Sequence, residues 1–379
     1  MSIDVPEGWA SGPVLNFFQL QRGHDLPVQD RSPGPVPVIA SNGAVGSHDQ
    51  SPFPGPGVIT GRSGTIGNVS YVEGAYWPLN TTLYLRDFKG ADPKFVYYFL
   101  QNFPLKDHQS GTGVPTLNRN DVHAVDVVFP PLDEQRRIVE VLQSVDEAIA
   151  AKQATLAATK QFKRTCREAA VMRFQDCAPT ALRSVLVSID AGWSPDCESE
   201  PANDGQWSIL KTSSVVWEGY DDTENKRLPA HLGPRPHLEV TADDILITRA
   251  GPAERTGVVA IVRETAGRRM LSDKIIRLRA SPEKAVPLAI AELLSSDHVQ
   301  AELIRSKSGM AASQTNISQK IVLGLEMRLP SLADQKDFAN EMAALQDAIE
   351  IGEADLHNAE RLKAALMSDL LSGRVRVSA

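Results

Sequence analysis

The sequence predicts two copies of a globular α/β domain, each followed by one long helix. Three observations support this fold class. Matching residues recur 200 positions apart, short β-branched runs broken by Gly and Pro precede each matching segment, and both matching segments have a helical period. An internal duplication of this length implies two equivalent structural units related as a pseudo-two-fold repeat. A chain with two similar surfaces most simply binds something twice.

The repeat is strictest where each long helix begins. In both copies a Pro-containing entry is followed by a Gln and then by apolar residues in the same register. The recurring residues are Pro130, Leu132, Gln135, Ala148, Ile149, Leu156 and Lys163, which return as Pro330, Leu332, Gln335, Ala348, Ile349, Leu356 and Lys363.

Residues 1–132 form the first predicted domain. Runs such as 57–60 are rich in β-branched residues and predict short strands. The segment from Pro93 to Asn102 predicts a helix. Pro130 and Pro131 end the domain, because proline cannot donate to a strand ladder and holds the preceding residue in an extended conformation.

The segment 133–175 is the first predicted helix. It has no Gly or Pro, and its apolar residues share one helical face. About 38 residues at 1.5 Å each would make a rod of roughly 57 Å. Two such helices with matching faces would pack as a coiled coil, although each could instead only cover its own domain. The apolar positions are Ile138, Leu142, Val145, Ile149, Leu156 and Phe162, and in the second copy Phe338, Met342, Leu345, Ile349, Leu356, Leu362, Leu366 and Leu370.

Residues 176–330 form the second predicted domain, and 331–379 the second helix. The motifs of this domain match the first copy loosely, since the run that ends at Arg249 resembles the run that ends at Arg62. The helices therefore match closely and the domains only in outline. This contrast indicates a common scaffold that carries two different specificities.

The composition is that of an ordinary globular protein, with 42% hydrophobic and 23% charged residues. No apolar run approaches the ~20 residues of a membrane span, and the first residues lack a signal-peptide pattern, so we expect a cytoplasmic protein without a membrane partner. The net charge of −8 weighs against nucleic acid as a partner, although an average can hide a local basic groove. The three cysteines are widely spaced, which predicts reduced thiols and no metal site.

The sequence carries no recognisable catalytic motif. A Gly-x-x-x-x-Gly-Lys-Ser/Thr phosphate loop is absent, and Phe129-Pro-Pro-Leu132 lacks both flanking residues of an amino-methyltransferase motif. We therefore expect a non-catalytic chain without a cofactor of its own. Two further classes stay open: a coiled-coil scaffold whose globular domains bind proteins, and an enzyme with an unrecognised active site.

The duplicated motifs resemble those of the DNA-specificity subunit of type I restriction-modification systems. They are Pro130-Pro-Leu-Asp-Glu-Gln135 followed by Ile138, the repeat Pro330-Ser-Leu-Ala-Asp-Gln335, and the Gly-Arg-Ser-Gly run at 61–64. The resemblance covers essentially the whole chain. It implies two target recognition domains, each reading one half of a split double-stranded DNA sequence, and two antiparallel helices that hold them apart. We expect those helices to act as a ruler.

The resemblance also implies partners. Two methyltransferase subunits, which methylate adenine with S-adenosylmethionine, would dock on the helices. Restriction subunits that use ATP and Mg would join them, as in phage defence. The candidates for subunit docking are the paired residues at the helix entries: Gln135, Ile138, Gln335 and Phe338.

Arg62 and Arg249 are the leading candidates for DNA contacts. Each follows an apolar strand-like run and precedes a small residue and a glycine. An arginine at a strand end can present its planar fork to guanine or to a phosphate, and the glycine lets the backbone approach closely. The alternative is a strand-end arginine in a salt bridge.

Small polar residues around these arginines are further candidates. The Asn-Gly pair at 42–43 is also typical of a turn, and Asn118 and Asn316 could cap helices instead. Backbone amides at a helix start, together with Arg119 or Gln319, could hold a phosphate. The full set comprises Ser41, Asn42, Ser63, Asn118, Arg119, Thr212, Ser213, Asn316 and Gln319.

Overall fold

The structure, a computed structural model, describes residues 5–111, 115–311 and 314–377. The chain forms two compact units: unit 1 comprises Met1–Gln153 with Ala354–Ala379, and unit 2 comprises Ala154–Glu353. The boundary runs through the middle of both long helices. Each unit therefore joins one globular domain to half of each helix, whereas the sequence predicted four successive segments.

The domain of unit 1 is made of short strands and two helices. Its strands are short because β-branched runs alternate with Gly and Pro, as the sequence predicts. The elements are β1 (Ala10–Pro13), β2 (Gln19–Arg22), β3 (Val36–Ala40), β4 (Gly43–His48), β5 (Gly57–Gly61), β6 (Val69–Val72), β7 (Trp77–Pro78), β8 (Thr82–Asp87), α1 (Pro93–Asn102), β9 (Gln109–Ser110), β10 (Thr116–Leu117), α2 (Arg119–His123) and β11 (Asp126–Phe129).

Two sheets organise this domain. A four-stranded antiparallel sheet has the order β2-β8-β5-β6, and a three-stranded sheet has the order β4-β3-β7 with β3 parallel to β7. The first strand, β1, pairs with the last, β11, and so closes the domain. Every residue of β5 is buried, which places the residue after it, Arg62, at the end of a rigid central strand.

Helix α1 confirms the helix predicted at 93–102. The side chain of Asp92 accepts hydrogen bonds from the backbone N–H groups of Lys94 and Phe95 at 2.9 and 3.1 Å. Pro93 occupies the first helical position, where its missing N–H costs nothing. The N-cap therefore fixes where α1 begins, and the apolar face of the helix packs into the core of the domain.

The domain of unit 2 has the same kinds of elements. They are β12 (Pro179–Ala181), β13 (Leu186–Ala191), β14 (Ser208–Leu210), β15 (Val215–Val216), β16 (Gly219–Tyr220), β17 (Asn225–Arg227), β18 (Ile245–Thr248), β19 (Ala250–Gly251), β20 (Val259–Ile261), β21 (Arg269–Met270), β22 (Ile275–Ala280), α4 (Pro287–Leu294), α5 (Asp297–Ser306), β23 (Ser308–Ala311), β24 (Gln314–Asn316), α6 (Gln319–Leu323) and β25 (Glu326–Arg328).

The topology of the second domain repeats that of the first. Its four-stranded sheet has the order β13-β22-β18-β20, its three-stranded sheet has the order β17-β14-β21, and β12 pairs with β25 as β1 pairs with β11. The two domains differ in helix α5, which has no α-helical counterpart among the described residues of unit 1, and in the connection between two paired strands. Two residues join β3 to β4, whereas the segment 211–224, which contains the β15–β16 hairpin, joins β14 to β17. The duplication is therefore confirmed at the level of topology.

The two long helices are α3 (Leu132–Arg173, 42 residues) and α7 (Leu332–Ser372, 41 residues). Each begins within two residues of its Pro130 or Pro330 entry, close to the predicted starts. Acidic residues occupy the first turn of both helices, where they complement the helix dipole.

Ion pairs show that the helices run antiparallel. In unit 1, Asp146 of α3 contacts Lys363 of α7 at 2.6 Å, and Lys152 contacts Asp355 at 3.1 Å. Residue numbers thus rise on one helix as they fall on the other, as predicted. In unit 2 the corresponding contacts are the ion pair of Lys160 with Glu353 at 2.6 Å and the hydrogen bond that Lys163 donates to Gln346 at 2.9 Å.

Within residues 5–111, 115–311 and 314–377, no helix combines the length and apolarity needed to cross a bilayer. Over the same ranges, no group of three or more His, Cys, Asp or Glu side chains is placed to hold a metal ion.

Candidate DNA-recognition surfaces

In unit 1 the backbone holds Arg62 on both sides. Its N–H donates to the Thr81 carbonyl at 2.8 Å, and its carbonyl accepts from the Leu117 N–H at 2.7 Å. The guanidinium Nη1 donates to the Asn80 carbonyl at 3.1 Å. This acceptor is neutral, so the contact orients the side chain without neutralising its charge. Among the residues that the structure describes, Arg62 forms no salt bridge, which was the alternative left open by the sequence.

Ser41 lies beside the Gly-Arg-Ser-Gly run. A Cβ on Gly61 would lie 1.8 Å from the Thr65 carbonyl oxygen and 3.3 Å from the Ser41 Cβ, so only glycine fits there. Ser41 and Asn42 form the two-residue turn between β3 and β4, and Asn42 is exposed. The turn that the sequence indicated therefore brings the candidate residue Ser41 next to the candidate strand end.

The other candidates of unit 1 adjoin the same strand end. Ser63 donates its N–H to the Thr81 carbonyl at 3.1 Å and bridges to Thr116 of β10. Asn118 follows β10 directly. It caps α2, because its side chain accepts a hydrogen bond from the Asn120 N–H at 3.0 Å. The capping role is thus confirmed for Asn118. The structure brings Ser41, Arg62, Ser63 and Asn118 together.

Arg119 begins α2 and is tied to the sheet, because its guanidinium donates to the side-chain oxygen of Gln21. At the other end of α2, the Nε2 of His123 accepts a hydrogen bond from the Leu20 N–H at 2.9 Å. Burial lowers the pKa of His123, and nearby Arg119 and Lys89 lower it further. The short helix is therefore fixed at both ends on strand β2.

In unit 2, Arg249 occupies the position equivalent to Arg62. Its carbonyl accepts from the Ile317 N–H at 2.9 Å, as the Arg62 carbonyl accepts from Leu117 at 2.7 Å, and 317 and 117 differ by the repeat length of 200. The equivalence predicted from the sequence is therefore confirmed. Within the described part of the chain, the buried Nε of Arg249 has no hydrogen-bond partner.

Three threonines hold the turn that follows Arg249. The hydroxyl of Thr315 donates to that of Thr256 at 2.9 Å, and both hydroxyls approach the Gly251 carbonyl, at 3.3 and 3.2 Å. The third, Thr248, hydrogen-bonds the Arg255 carbonyl. These contacts fix the loop from 250 to 257 without using a charged group.

Arg255 and Lys307 are functional candidates that the sequence reasoning missed. Arg255 Nη2 donates to the Thr212 carbonyl at 3.1 Å, which joins the Arg249 turn to the segment carrying Thr212 and Ser213. Lys307 Nζ donates to the Ala253 carbonyl at 2.7 Å, and burial lowers the pKa of this lysine. Neither residue could be found from sequence pattern alone, because only the fold brings 212, 255 and 307 together.

The small polar residues of unit 2 have mixed environments. Thr212 and Ser213 lie in one turn of 3₁₀ helix. The Ser213 hydroxyl donates to the carboxylate of Glu224, so this hydroxyl already has a partner within the domain. Asn316 is exposed and pairs with Ala250 in the β19–β24 ladder. The capping role expected for Asn316 is wrong.

The residue that caps α6 is Ser318, whose hydroxyl accepts from the Ile321 N–H at 3.2 Å. The two copies therefore cap this short helix at equivalent positions, because Asn118 plays this role in unit 1 and lies 200 residues before Ser318. Gln319 begins α6 and is partly exposed.

The four candidates for subunit docking are buried. Gln135 and Gln335 are 5% and 2% exposed, and Ile138 and Phe338 are fully buried. These side chains are therefore unavailable for direct contact with another subunit, which corrects that expectation. Ile138 lies in the core of unit 1, and Phe338 packs edge-on against Phe174 with ring centroids 5.9 Å apart.

The paired glutamines join each domain to its helix. Gln135 donates to the Pro130 carbonyl at 2.9 Å and accepts from the Asp92 N–H at the start of α1 at 2.8 Å. Gln335 repeats this arrangement, with bonds of 3.0 Å to the Pro330 carbonyl and from the Val286 N–H before α4. The geometry that the two copies share thus belongs to a contact that anchors each domain to its long helix. No such role was visible in the sequence, because the Asp92 and Val286 N–H groups lie more than 40 residues from their glutamines.

Two apolar residues assigned to the coiled-coil face are exposed instead. Phe162 and Leu362, which are equivalent in the repeat, are each 57% exposed. Leu156 and Lys163 are one heptad apart, so Lys163 takes the next position on the packed face and Phe162 points about 100° away from it. Both units therefore present one large apolar side chain at the same helix position.

Comparison with known proteins places the chain. Residues 6–161 match the type I restriction modification DNA specificity domain. The EcoEI specificity subunit of Escherichia coli is 38% identical over 197 residues, which are 48% of this chain and 32% of that protein. The matched segment thus spans about a third of that relative. The MjaVIII specificity subunit of Methanocaldococcus jannaschii is 22% identical over 310 residues, 76% of this chain and 72% of that protein.

Solved structures share the fold. The specificity subunit of a type I restriction-modification system from M. genitalium matches with a TM-score of 0.61 and 14% identity, covering 98% of both chains. A structure describing complex assembly and conformational transition of a type I system matches with a TM-score of 0.58 and 16% identity, covering 98% of this chain and all of that one. At these identities the likeness shows the fold alone.

The fold and the duplicated domains define a two-domain chain with long antiparallel helices, the architecture of a specificity subunit. The resemblance predicted from the repeat is confirmed. Residues 6–161 match the type I specificity domain, and the fold of the chain is that of the solved specificity subunits.

Proposed function

We propose that the chain reads a bipartite, asymmetric double-stranded DNA target, with each domain reading one half-site. One observation carries the proposal: Arg62 and Arg249 have the same backbone position in two domains whose surrounding side chains differ. Arg62 donates to the Asn80 carbonyl, whereas the turn that follows Arg249 is held by a threonine network and carries Arg255. Two domains that read different half-sites need equivalent backbone positions surrounded by different side chains.

The chemistry of these positions suits DNA. A guanidinium at a strand end can donate two parallel hydrogen bonds to guanine O6 and N7, or one to a phosphate. A buried polar group without a partner is costly, so the unpaired Nε of Arg249 supports a role for a bound acceptor there. The net charge of −8 is an average over the chain and leaves room for a local basic surface.

Single substitutions test the proposal. With a co-expressed methyltransferase partner, Arg62→Ala should relax recognition of one half-site and Arg249→Ala that of the other. A lost bidentate contact costs about 1–3 kcal/mol, so discrimination should fall roughly 5- to 150-fold at the affected base. Arg136→Ala, which changes an exposed arginine on α3, is the matched control. Equal loss of binding to unrelated DNA by both variants would mark phosphate contacts and contradict base reading.

The docking part of the proposal uses exposed residues. We propose that two methyltransferase subunits bind this chain, one at Phe162 and one at Leu362. Equal exposure at equivalent helix positions supports one partner bound twice through an apolar contact. Restriction subunits would join this complex. Methylation with S-adenosylmethionine and ATP- and Mg-dependent cleavage would then belong to the partners, and the cytoplasm would be the setting.

The stoichiometry of the purified complex tests this docking. Phe162→Ala or Leu362→Ala should reduce the complex from two methyltransferase subunits to one, measured by native mass spectrometry. The double variant should lose both. Val187→Ala removes an apolar side chain that is 69% exposed on a domain strand and should have no effect. Two bound subunits in the double variant would contradict the assignment.

A further inference from the structure

Helices α1 and α4 occupy equivalent places at the contact of each domain with the long helices. Both begin with a proline, and in both the preceding residue donates its N–H to the paired Gln135 or Gln335. Counted from that proline, Tyr98 of α1 and Glu292 of α4 are both the sixth residue. The two domains thus place chemically different side chains at the same point against their helices.

In unit 1, Tyr98 meets one cation and one anion. Its hydroxyl donates to Asp146 Oδ2 at 2.7 Å, while Lys363 Nζ contacts Asp146 Oδ1 at 2.6 Å and lies 5.8 Å from the Tyr98 ring centroid. Burial and the bond to Asp146 raise the pKa of Tyr98, which keeps its hydroxyl a neutral donor. The negative charge of Asp146 on α3 and the positive charge of Lys363 on α7 therefore compensate each other without a charged group from the domain.

In unit 2 the domain supplies the anion itself. Glu292 is 5% exposed and contacts Lys163 Nζ at 2.8 Å and Arg167 Nη2 at 2.6 Å. Gln346 of α7, which accepts a hydrogen bond from Lys163 at 2.9 Å, is neutral. The carboxylate in direct contact with both cations of α3 therefore comes from the domain, while Glu350 of α7 is paired with Arg263.

The repeat register aligns these two clusters residue by residue. Lys163 corresponds to Lys363, Asp146 to Gln346 and Arg167 to Met367. The lysine is retained, whereas the carboxylate lies on a long helix in unit 1 and on the domain in unit 2. We call these groups the two charge clusters.

We propose that the charge clusters match each domain to its own pair of helix halves, so that the domains are not interchangeable. Glu292 placed in the Tyr98 position would add a second buried carboxylate beside Asp146. Tyr98 placed in the Glu292 position would leave Lys163 and Arg167 without an anion. Both mismatches bury an uncompensated charge, which is strongly unfavourable. With the proposed function, on which this last step rests, the clusters also fix the order of the half-sites along the DNA.

A charge-relocation series in the full chain tests the matching, with calorimetric unfolding as the measurement. Tyr98→Glu should lower the unfolding midpoint of unit 1 by about 5–10 °C. Adding Asp146→Gln and Met367→Arg rebuilds the cluster of unit 2 and should recover most of that loss. Tyr98→Gln controls for the lost ring, because it adds no charge.

The two helix substitutions should have the opposite effect on stability in the Tyr98→Gln control. In the Tyr98→Gln background, the same two helix substitutions leave Lys363 and an added arginine without a carboxylate, so they should destabilise further. The reciprocal series in unit 2 is Glu292→Tyr, rescued by Gln346→Asp with Arg167→Met. Equal effects of the helix substitutions in the Glu and Gln backgrounds would overturn the proposal, because ordinary packing would then explain the site.

A chain with the two globular domains exchanged tests the consequence. Exchange without further changes should lower the unfolding midpoints, and exchange together with matched cluster residues should restore them. Native stability of the unmatched exchange would overturn the proposal. A matched exchange that folds but reads no DNA with its methyltransferase partner would count against the proposed function alone, since the folding result does not depend on DNA.

Discussion

Gln135 offers the sharpest test of why the repeat is strict at the helix entries. The side chain is 5% exposed and bridges the Pro130 carbonyl and the Asp92 N–H at 2.9 and 2.8 Å. Gln135→Met keeps the volume and removes both hydrogen bonds. Each of the two buried groups left unpaired costs about 1–3 kcal/mol, so we expect a loss of roughly 2–6 kcal/mol in the stability of unit 1. For a unit of this size the midpoint should fall by roughly 4–24 °C.

Hydrogen exchange locates the effect. The Asp92 N–H precedes α1, so the amides of this helix should exchange faster in Gln135→Met while those of α4 keep their native rates. Gln335→Met is the matched variant and should show the opposite pattern, because Val286 precedes α4. Native exchange and a native midpoint, together with loss of a bound methyltransferase subunit, would refute the internal anchor and restore a direct docking role.

Two further predictions concern unit 1. Arg376, at 2.7 Å, holds the pKa of the buried Glu134 below its usual range. The ion pair therefore stabilises the fold fully above about pH 4.3, and this stabilisation is lost as pH falls through the lowered pKa. Calorimetry against pH should therefore show a flatter acid limb for Glu134→Gln, and an unchanged limb would contradict the linkage. Gly61→Ala should destabilise unit 1 by about 1–3 kcal/mol, because its Cβ would lie 1.8 Å from the Thr65 carbonyl oxygen. Gly74→Ala, with no atom within 4 Å of its Cβ, should be near neutral, and equal effects would refute the steric argument.

The sequence predicted those features that depend on local pattern. The helix at Pro93–Asn102, both long helices and the equivalence of Arg62 with Arg249 follow from caps, periodicity and repeat register. Their signals lie within a few residues of each other or repeat at one fixed distance. Local pattern was enough for the architecture and for the centre of each candidate surface.

Features that depend on distant partners were not predicted. Gln135 looked like a docking residue because its partner Asp92 is 43 residues away. Phe162 looked like a packed residue because hydrophobicity alone does not decide which of two neighbouring positions faces the partner helix. The carboxylate beside Lys163 comes from Glu292, and no repeat register indicates that substitution. Tertiary contacts decide each of these roles.

The central claim is that the helices preserve a spacing while the domains carry the specificity, and target mapping of a lengthened chain tests it most directly. Seven residues inserted in α3 after Gln153 and in α7 after Glu353 retain the heptad phase and add about 10 Å, or about 3 base pairs. Methylation mapping with the partner subunits should find both half-sites unchanged and the spacer between them longer by about 3 base pairs. Altered half-sites with an unchanged spacer would contradict the account.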